Sequence, residues 1–351
     1  MIFVCLLRIV GPLPPVLISR YAKNHSPDDF CLRHYAFCIM NYAFLTGIIL
    51  LPVNDKEEGG FVVNGFVILD KSEGLTSFKA SAFLRRIYGE KKTGHTGTLD
   101  PMATGVLPVA LGRATRFISF LPDGDKGYSA RFRLGITTDT LDITGRVLSE
   151  TPCSLKKEDV LGVLDRFRGD IMQTPPMFSA ISVGGKRLYE LSRKGEEIER
   201  EQRPVTIYSL ELAECENGEF AIDVLCSKGT YIRSLIADIG DALGVGACMT
   251  ALRRTRANGF TLDDAHTEEE LKTLAPGGVL DIDAPFMCFD FVRLTKNQSV
   301  RFRNGGELFT SRLGKDVPPG MYRVYSDENE FLGLGEVQNE NPEMLWARRV
   351  V

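Results

Sequence analysis

One carboxylate stands out by its setting. Asp100 lies in Gly94-His95-Thr96-Gly97-Thr98-Leu99-Asp100-Pro101-Met102-Ala103-Thr104-Gly105, a loop dense in glycine, threonine and proline. Gly94, Gly97 and Gly105 can take backbone angles closed to other residues. Pro101 fixes its own φ and biases Asp100 towards extended backbone. An aspartate held this way projects outward from a stiff bend. The plainer alternative is a turn aspartate that bonds its own backbone. Against it, the loop is too long for a hairpin turn, and Lys91 and Lys92 stand just before it.

Other segments fall into line with that loop. They are Leu69-Asp70-Lys71, Ala103-Thr104-Gly105-Val106-Leu107-Pro108, Lys228-Gly229-Thr230-Tyr231-Ile232-Arg233 and Leu252-Arg253-Arg254. Together, and in this order, they resemble the motifs of bacterial tRNA pseudouridine-55 synthases, the TruB family. The resemblance runs from Asn64 to the C-terminus; the first sixty or so residues have no counterpart in it. It implies an α+β protein: a mixed-sheet pseudouridine-synthase fold with a small C-terminal β-rich domain of PUA type. It also implies Asp100 as catalytic nucleophile, with Arg233 pairing to it. Tyr128 and Tyr231 would stack on the target base, Leu252 would line the uridine pocket, and His95 would contact RNA and order the displaced loop. Read without the family, Tyr128, Tyr231 and Leu252 are ordinary packing residues, Arg233 is a surface arginine and His95 is a structural histidine. Lys71, Lys92, Arg253 and Arg254 could hold phosphates, and the sequence does not rank them.

The implied reaction breaks a nitrogen–ribose bond and remakes it to a uracil carbon. Its atom inventory is unchanged, so no redox or metal cofactor is required. The substrate would be tRNA, at uridine 55 in the T arm. The base must leave its stack, at a cost of a few kcal/mol, and stacking on aromatic rings returns roughly 1–3 kcal/mol per base. Two rivals share the residues. A catalytically silent RNA-binding protein would use the same surface without Asp100 reacting. An aspartate glycosidase would need a second carboxylate, for which Asp142 in a separate polar loop is the candidate.

Composition is compatible with this reading. The chain has 351 residues, 44% hydrophobic and 25% charged, enough for more than one domain. Net charge is only -4, yet its distribution is uneven. Residues 79–133 hold ten Lys/Arg against four Asp/Glu, and residues 227–256 hold five against two. A local basic surplus suits a polyanion held at one face; a mixed solvated surface is the alternative. The eight cysteines show no Cys-x-x-Cys and no zinc spacing, and no dinucleotide or phosphate-loop fingerprint is present. The expectation is therefore no cofactor, no metal, no membrane, free thiols, a monomer and a cytoplasmic location.

Periodicity supplies the elements. A strand is expected over 66–70, a helix capped by Thr76 or Ser77 and running to about 88, and a strand over 106–111. Residues 127–134 alternate, with Tyr128, Ala130, Phe132 and Leu134 on one face. Ser154 is expected to cap a helix that turns Val160, Leu161, Leu164 and Phe167 inward. Residues 173–176 read as loop, and 186–194 as a short basic helix. Strands near 205–214 and 220–226 flank an Asn217-Gly218 hairpin signal. A helix then carries Ile232, Leu235, Ile236, Ile239 and Leu243 on one stripe. Thr267 and Glu270 form a capping box. After residue 285, four strand-like runs suggest a partly open barrel. The expected division is an extension over 1–61, a catalytic domain over 62–285 and a C-terminal RNA-binding domain over 286–351.

The extension reads differently. Prolines 12, 14 and 15 break its first apolar run. Residues 35–53 carry no charge and just reach the length of a membrane span, but Asn41 and sparse basic flanks weaken that reading. No signal-peptide n-region or cleavage site is evident. The expectation is that an upstream start codon adds this segment, with Val62 or Val63 encoded by an alternative start.

Overall fold

The computed structural model describes residues 63–351 except 123, 180, 184, 193, 194, 197 and 217. The expectations for residues 1–61, including the uncharged run over 35–53, lie outside the described residues. No described helix is long and apolar enough to cross a membrane.

The large sheet is built from β1 (Gly65–Lys71), β2 (Thr93–His95), β3 (Thr104–Leu111), β4 (Lys126–Leu134), β5 (Gly169–Gln173), β6 (Arg203–Glu216), β7 (Glu219–Cys226), β8 (Ala247–Ala257) and β9 (Phe260–Thr261). Its order is β1-β3-β8-β4-β7-β6-β5, with β2 on β3 and β9 on β8. Every pairing is antiparallel except β8 with β3, which is parallel through Arg253↔Thr104 and Arg254↔Gly105. That junction places β8 between the strand that leaves the Asp100 loop and β4, which carries Tyr128.

Helices α1 (Ser77–Ile87), α2 (Lys157–Leu164), α3 (Leu188–Ser192), α4 (Ile232–Ala242) and α5 (Glu268–Leu274) accompany the sheet. The Thr76 hydroxyl accepts from the Lys79 N–H and caps α1, as its sequence predicts. Arg85 and Arg86 sit in its last turn, where positive charge suits the helix dipole. The α4 stripe is buried through Ile232, Leu235, Ile236 and Ile239. These residues join Val67, Leu107, Phe132, Ile222 and Leu252 in the main apolar cluster. On β4 the expected alternation holds: Tyr128, Ala130, Phe132 and Leu134 are buried, while Arg131 and Arg133 are exposed.

Three expectations need correction. The helix near 160 starts at Lys157, not after Ser154, because the Asp159 carboxylate accepts from the Lys156 N–H and fixes the first turn there. Leu161 on it faces solvent. Gln173 is not loop: it ends β5 and is buried. Residues 186–187 form a strand before the short helix α3, which buries Leu188 and Leu191 as expected.

The C-terminal sheet comprises β10 (Asp290–Arg293), β11 (Leu308–Phe309), β12 (Gly320–Tyr325), β13 (Phe331–Gln338) and β14 (Asn341–Val350), in the order β10-β12-β13-β14-β11. Helix α6 (Lys296–Arg303) packs beside it behind a Thr295–Gln298 capping box. The sheet has its own core around Val292, Phe302, Tyr322, Val324 and Leu345. A second cluster joins residues on both sides of position 285: Phe66, Phe117 and Phe286 pack with Leu334 and Phe331.

Gly105 is the tightest point of the β3–β8 junction. Its φ is +99°, and a Cβ there would lie 2.2 Å from the Arg254 carbonyl oxygen. Gly89 also has positive φ, +64°, but nothing lies within 4 Å of its Cβ position. Gly105→Ala is therefore expected to cost about 3 kcal/mol, against about 1 kcal/mol for Gly89→Ala. Denaturant titration of the two variants checks this ordering; equal losses would contradict it.

Candidate active site around Asp100

The loop between β2 and β3 is fastened from both sides. Ser77, the first residue of α1, donates its hydroxyl to the Leu99 carbonyl (3.2 Å) and accepts from the Leu99 N–H (2.9 Å). The Pro101 carbonyl accepts from the Gly74 N–H (2.8 Å) and from Lys71 Nζ (3.3 Å). The Ala103 N–H closes a turn onto the Asp100 carbonyl at 3.0 Å. Leu99 and Ala103 are buried on either side. Asp100 thus stands on an anchored bend, and its side chain keeps 35% of its exposure.

Its principal partner is Arg233, the second residue of α4, itself buried. Arg233 Nη2 lies 2.9 Å from Asp100 Oδ2, and Nη1 lies 3.6 Å from Asp142 Oδ2. The same guanidinium donates to the Thr140 carbonyl (3.0 Å) and the Phe178 carbonyl (2.9 Å). Asp142 is buried in turn. Its Oδ1 accepts from the Thr140 hydroxyl (2.8 Å), the Thr144 N–H (3.0 Å) and the Thr144 hydroxyl (2.5 Å). One cation therefore orients two carboxylates of unlike access. Asp142 is saturated with donors, while Asp100 keeps an open side. Sequence reading had Asp142 only as a glycosidase partner; nothing local to its polar loop shows that it reaches Arg233.

Two of the expected aromatic residues feel the same carboxylate, Tyr128 and Tyr231. Tyr231 immediately precedes α4, half-buried, with its backbone clamped by Gln173. Gln173 Oε1 accepts from the Tyr231 N–H (2.8 Å), and Gln173 Nε2 donates to the Tyr231 carbonyl (3.1 Å). Gln173 was missed because it is a single buried amide at a strand end, with no motif around it. Tyr128 is nearly fully buried at the start of β4, and Leu252 at 8% exposure lies across from Ala130 on β8. Burial pushes the Tyr128 hydroxyl up to about 12, opposed by Arg254 and reinforced by Asp100. Burial also raises Tyr231, against Arg233. His95 is half-buried, with Nδ1 3.3 Å from the Ser81 hydroxyl and Nε2 3.4 Å from the Thr98 hydroxyl. Burial and then Arg254 lower its pKa, so the ring is neutral near pH 7.

The structure ranks the four phosphate candidates. Lys71 is fully buried and donates to the Ser72, Leu75 and Pro101 carbonyls, so it braces the loop from inside and cannot meet a phosphate. Arg253 is committed to Asp70 through two bonds of 3.1 and 2.7 Å. Arg254 is buried, with Nε on the Val106 carbonyl (2.7 Å). Lys92 alone of the four has an exposed, unpaired head among the described residues. No group of three or more His, Cys, Asp or Glu among the described residues could hold a metal ion.

Residues 85–232 match the TruB family pseudouridylate synthase N-terminal domain. Residues 233–276 match the tRNA pseudouridylate synthase B C-terminal domain, and residues 291–351 match the pseudouridine synthase II TruB C-terminal domain. A protein of Clostridium perfringens named tRNA pseudouridine synthase B is 43% identical over 279 residues, which is 78% of this chain and 95% of that protein. One of Escherichia coli (strain K12) with the same name is 40% identical over 293 residues, 79% of this chain and 92% of that protein. The chain belongs to the TruB family. Among solved structures, a chain in the crystal structure of a Cbf5-Nop10-Gar1 complex aligns with a TM-score of 0.61 and 27% identity, over 78% of each chain. As a member of a family of pseudouridine synthases, the protein is an enzyme, an isomerase. The α+β fold with its β-rich C-terminal sheet is the one the sequence led us to expect.

The electrostatics of this family member carry a definite sign. Burial raises Asp100 above the ordinary aspartate value; Arg233 opposes the rise, Asp142 adds to it, and Lys71 opposes it. A carboxyl whose folded pKa exceeds its unfolded one disfavours folding at neutral pH, and the penalty disappears below the unfolded pKa. Two variants should move Asp100 in opposite directions. Arg233→Met should raise its pKa further, and Asp142→Asn should lower it. Carboxyl-carbon NMR titration reads both; shifts of the same sign would contradict the arrangement.

Proposed function

We propose that this enzyme isomerises uridine 55 in the T loop of tRNA to pseudouridine, with Asp100 as nucleophile on a flipped-out uridine. The observation that carries the reading is the Asp100–Arg233 contact of 2.9 Å on an anchored loop. It presents one partly open carboxylate whose charge acts on both Tyr128 and Tyr231. The names of the relatives support tRNA as the substrate class.

Each part of the constellation then has a task. Arg233 aims Asp100 and favours its charged form, opposing the burial that raises its pKa. Asp100 forms a bond to the nucleotide, the N1–C1′ bond of the uridine breaks and the C5–C1′ bond forms, and the bond to Asp100 then breaks to return the free carboxylate. The C5 proton is lost and N1 gains one, so the overall change is an isomerisation with no external oxidant or reductant. Tyr128, Tyr231 and Leu252 form the walls against which the extruded base rests. His95, neutral and bonded within the loop, meets the RNA beside the vacated position. Folded RNA of this kind is recognised through shape, splayed bases and backbone.

The C-terminal sheet would extend the grip along the tRNA. Phe291 on β10 is 40% exposed, and Arg293, Lys315 and Arg323 lie 5.6, 5.3 and 5.9 Å from its ring. An exposed ring surrounded by cations suits a nucleotide, base on the ring and phosphate on the charges.

Asp100→Asn is expected to abolish pseudouridine at position 55 in a chemical mapping assay, while leaving tRNA binding within several-fold. Residual full activity would reject the nucleophile, and loss of binding with activity would reduce the residue to a structural role. Phe291→Ala is expected to weaken tRNA binding about tenfold, the loss of one stacked base. Filter binding checks it; unchanged affinity would remove the C-terminal sheet from the interface.

A further inference from the structure

Arg254 carries a buried charge whose part so far is its influence on Tyr128 and His95. The side chain is fully buried, yet no carboxylate lies within 4.0 Å of its guanidinium among the described residues. Its Nε is satisfied by the Val106 carbonyl and its Nη2 lies 3.3 Å from the Gly97 carbonyl. Its Nη1 has no hydrogen-bond acceptor among the described residues, and the Tyr128 hydroxyl is the neutral polar group that acts on this guanidinium. A buried donor on an uncompensated cation is among the costliest features a fold can keep, and it asks for an anion that is not part of the chain.

A second cation points to the same place. Lys126, half-buried at the start of β4, forms no ion pair or hydrogen bond through its ammonium among the described residues. Arg254 is one of the charges acting on it. A Cβ placed on Gly97 would have Arg254 Nη1 and Lys126 Nζ each 3.7 Å away. Gly97 has φ +111° and no side chain to fill that space. It stands three residues before Asp100 in the same loop. Gly97 and Lys126 thus form the rim of a notch, and Arg254 its floor.

We propose that this notch receives a backbone phosphate of the substrate RNA, that of a nucleotide next to the target uridine. A phosphate oxygen seated against Gly97 accepts from Lys126 Nζ and Arg254 Nη1 together. The lysine head, on its flexible stem, moves aside to admit it. The charge fits: two converging donors, both cationic, face a ligand whose backbone carries one negative charge per nucleotide. A phosphate fixed there sets the register of the strand, so that the flipped base falls between Tyr128 and Tyr231.

The proposal rests on Asp100 being the RNA-modifying centre, and the test separates the two. Hairpins of T-arm sequence carrying one neutral methylphosphonate each, scanned across the loop, are titrated against the unaltered protein, Lys126→Met and Lys126→Arg. Conversion of the unmodified hairpin to pseudouridine is followed in parallel. We expect one position adjacent to the target where neutralisation weakens binding to the unaltered protein about tenfold. The same hairpin should cost Lys126→Met nothing beyond its own deficit, and Lys126→Arg should restore the penalty. The slope of log affinity against log salt should fall by about 0.7–0.9 in Lys126→Met, one phosphate contact. No position-specific penalty in the unaltered protein would overturn the proposal without any variant. Conversion without a penalty rejects the notch alone; a penalty without conversion rejects the proposed function and leaves the notch standing.

Discussion

The site depends on one buried guanidinium. Arg233 holds Asp100 at 2.9 Å and Asp142 at 3.6 Å while capping two backbone carbonyls. Burying an arginine is costly unless its charge and its donors are both met. Here the donors meet backbone of the Thr140 and Phe178 loops, and the charge meets two carboxylates from separate segments. The interaction therefore fixes four parts of the chain that the sequence scatters: the loop after β2, the turn at 139–142, the segment before α3 and the start of α4. Only one of the two carboxylates is left open, which makes the network directional. Asp142 is enclosed by its donors, and Asp100 keeps an open side.

The rest of the fold reads as scaffolding for that arrangement. The β3–β8 junction sets the exit of the Asp100 loop. Lys71, buried beneath it, ties Ser72, Leu75 and Pro101 together by their carbonyls. Ser77 joins the same loop to α1. Gln173 fixes Tyr231 by both of its backbone polar groups. These supports act through main-chain bonds, and Lys71 also brings a positive charge that opposes the rise of the Asp100 pKa. The sheet supplies precision of the kind that loop sites lack when they stand on their own.

Much of this was legible in the sequence because it is local. The alternation of β4, the Thr76 cap and the stripe of α4 each follow from residues within one element, and all appear where the pattern put them. The strand β8 was illegible for a physical reason. Its apolar pattern is broken by Arg254, a charged residue at an inward position, and by two register shifts against β4. The roles of Lys71 and Asp142 were hidden for the related reason that their partners are distant in sequence. A buried lysine looks like a surface one until three carbonyls converge on it. Family resemblance named Asp100 and Arg233 together; only the fold adds Asp142 as the third member and removes Lys71 and Arg254 from the exposed cations.

The account stands on Asp100 meeting a nucleotide drawn out of its RNA. A crystal structure of the protein with a T-arm hairpin tests this most directly. The account predicts the target uridine unstacked, its base between Tyr128, Tyr231 and Leu252, with an Asp100 carboxylate oxygen within about 3–3.5 Å of the atom it attacks. A uridine still stacked in its loop, with Asp100 turned away and Arg233 bound elsewhere, would contradict it.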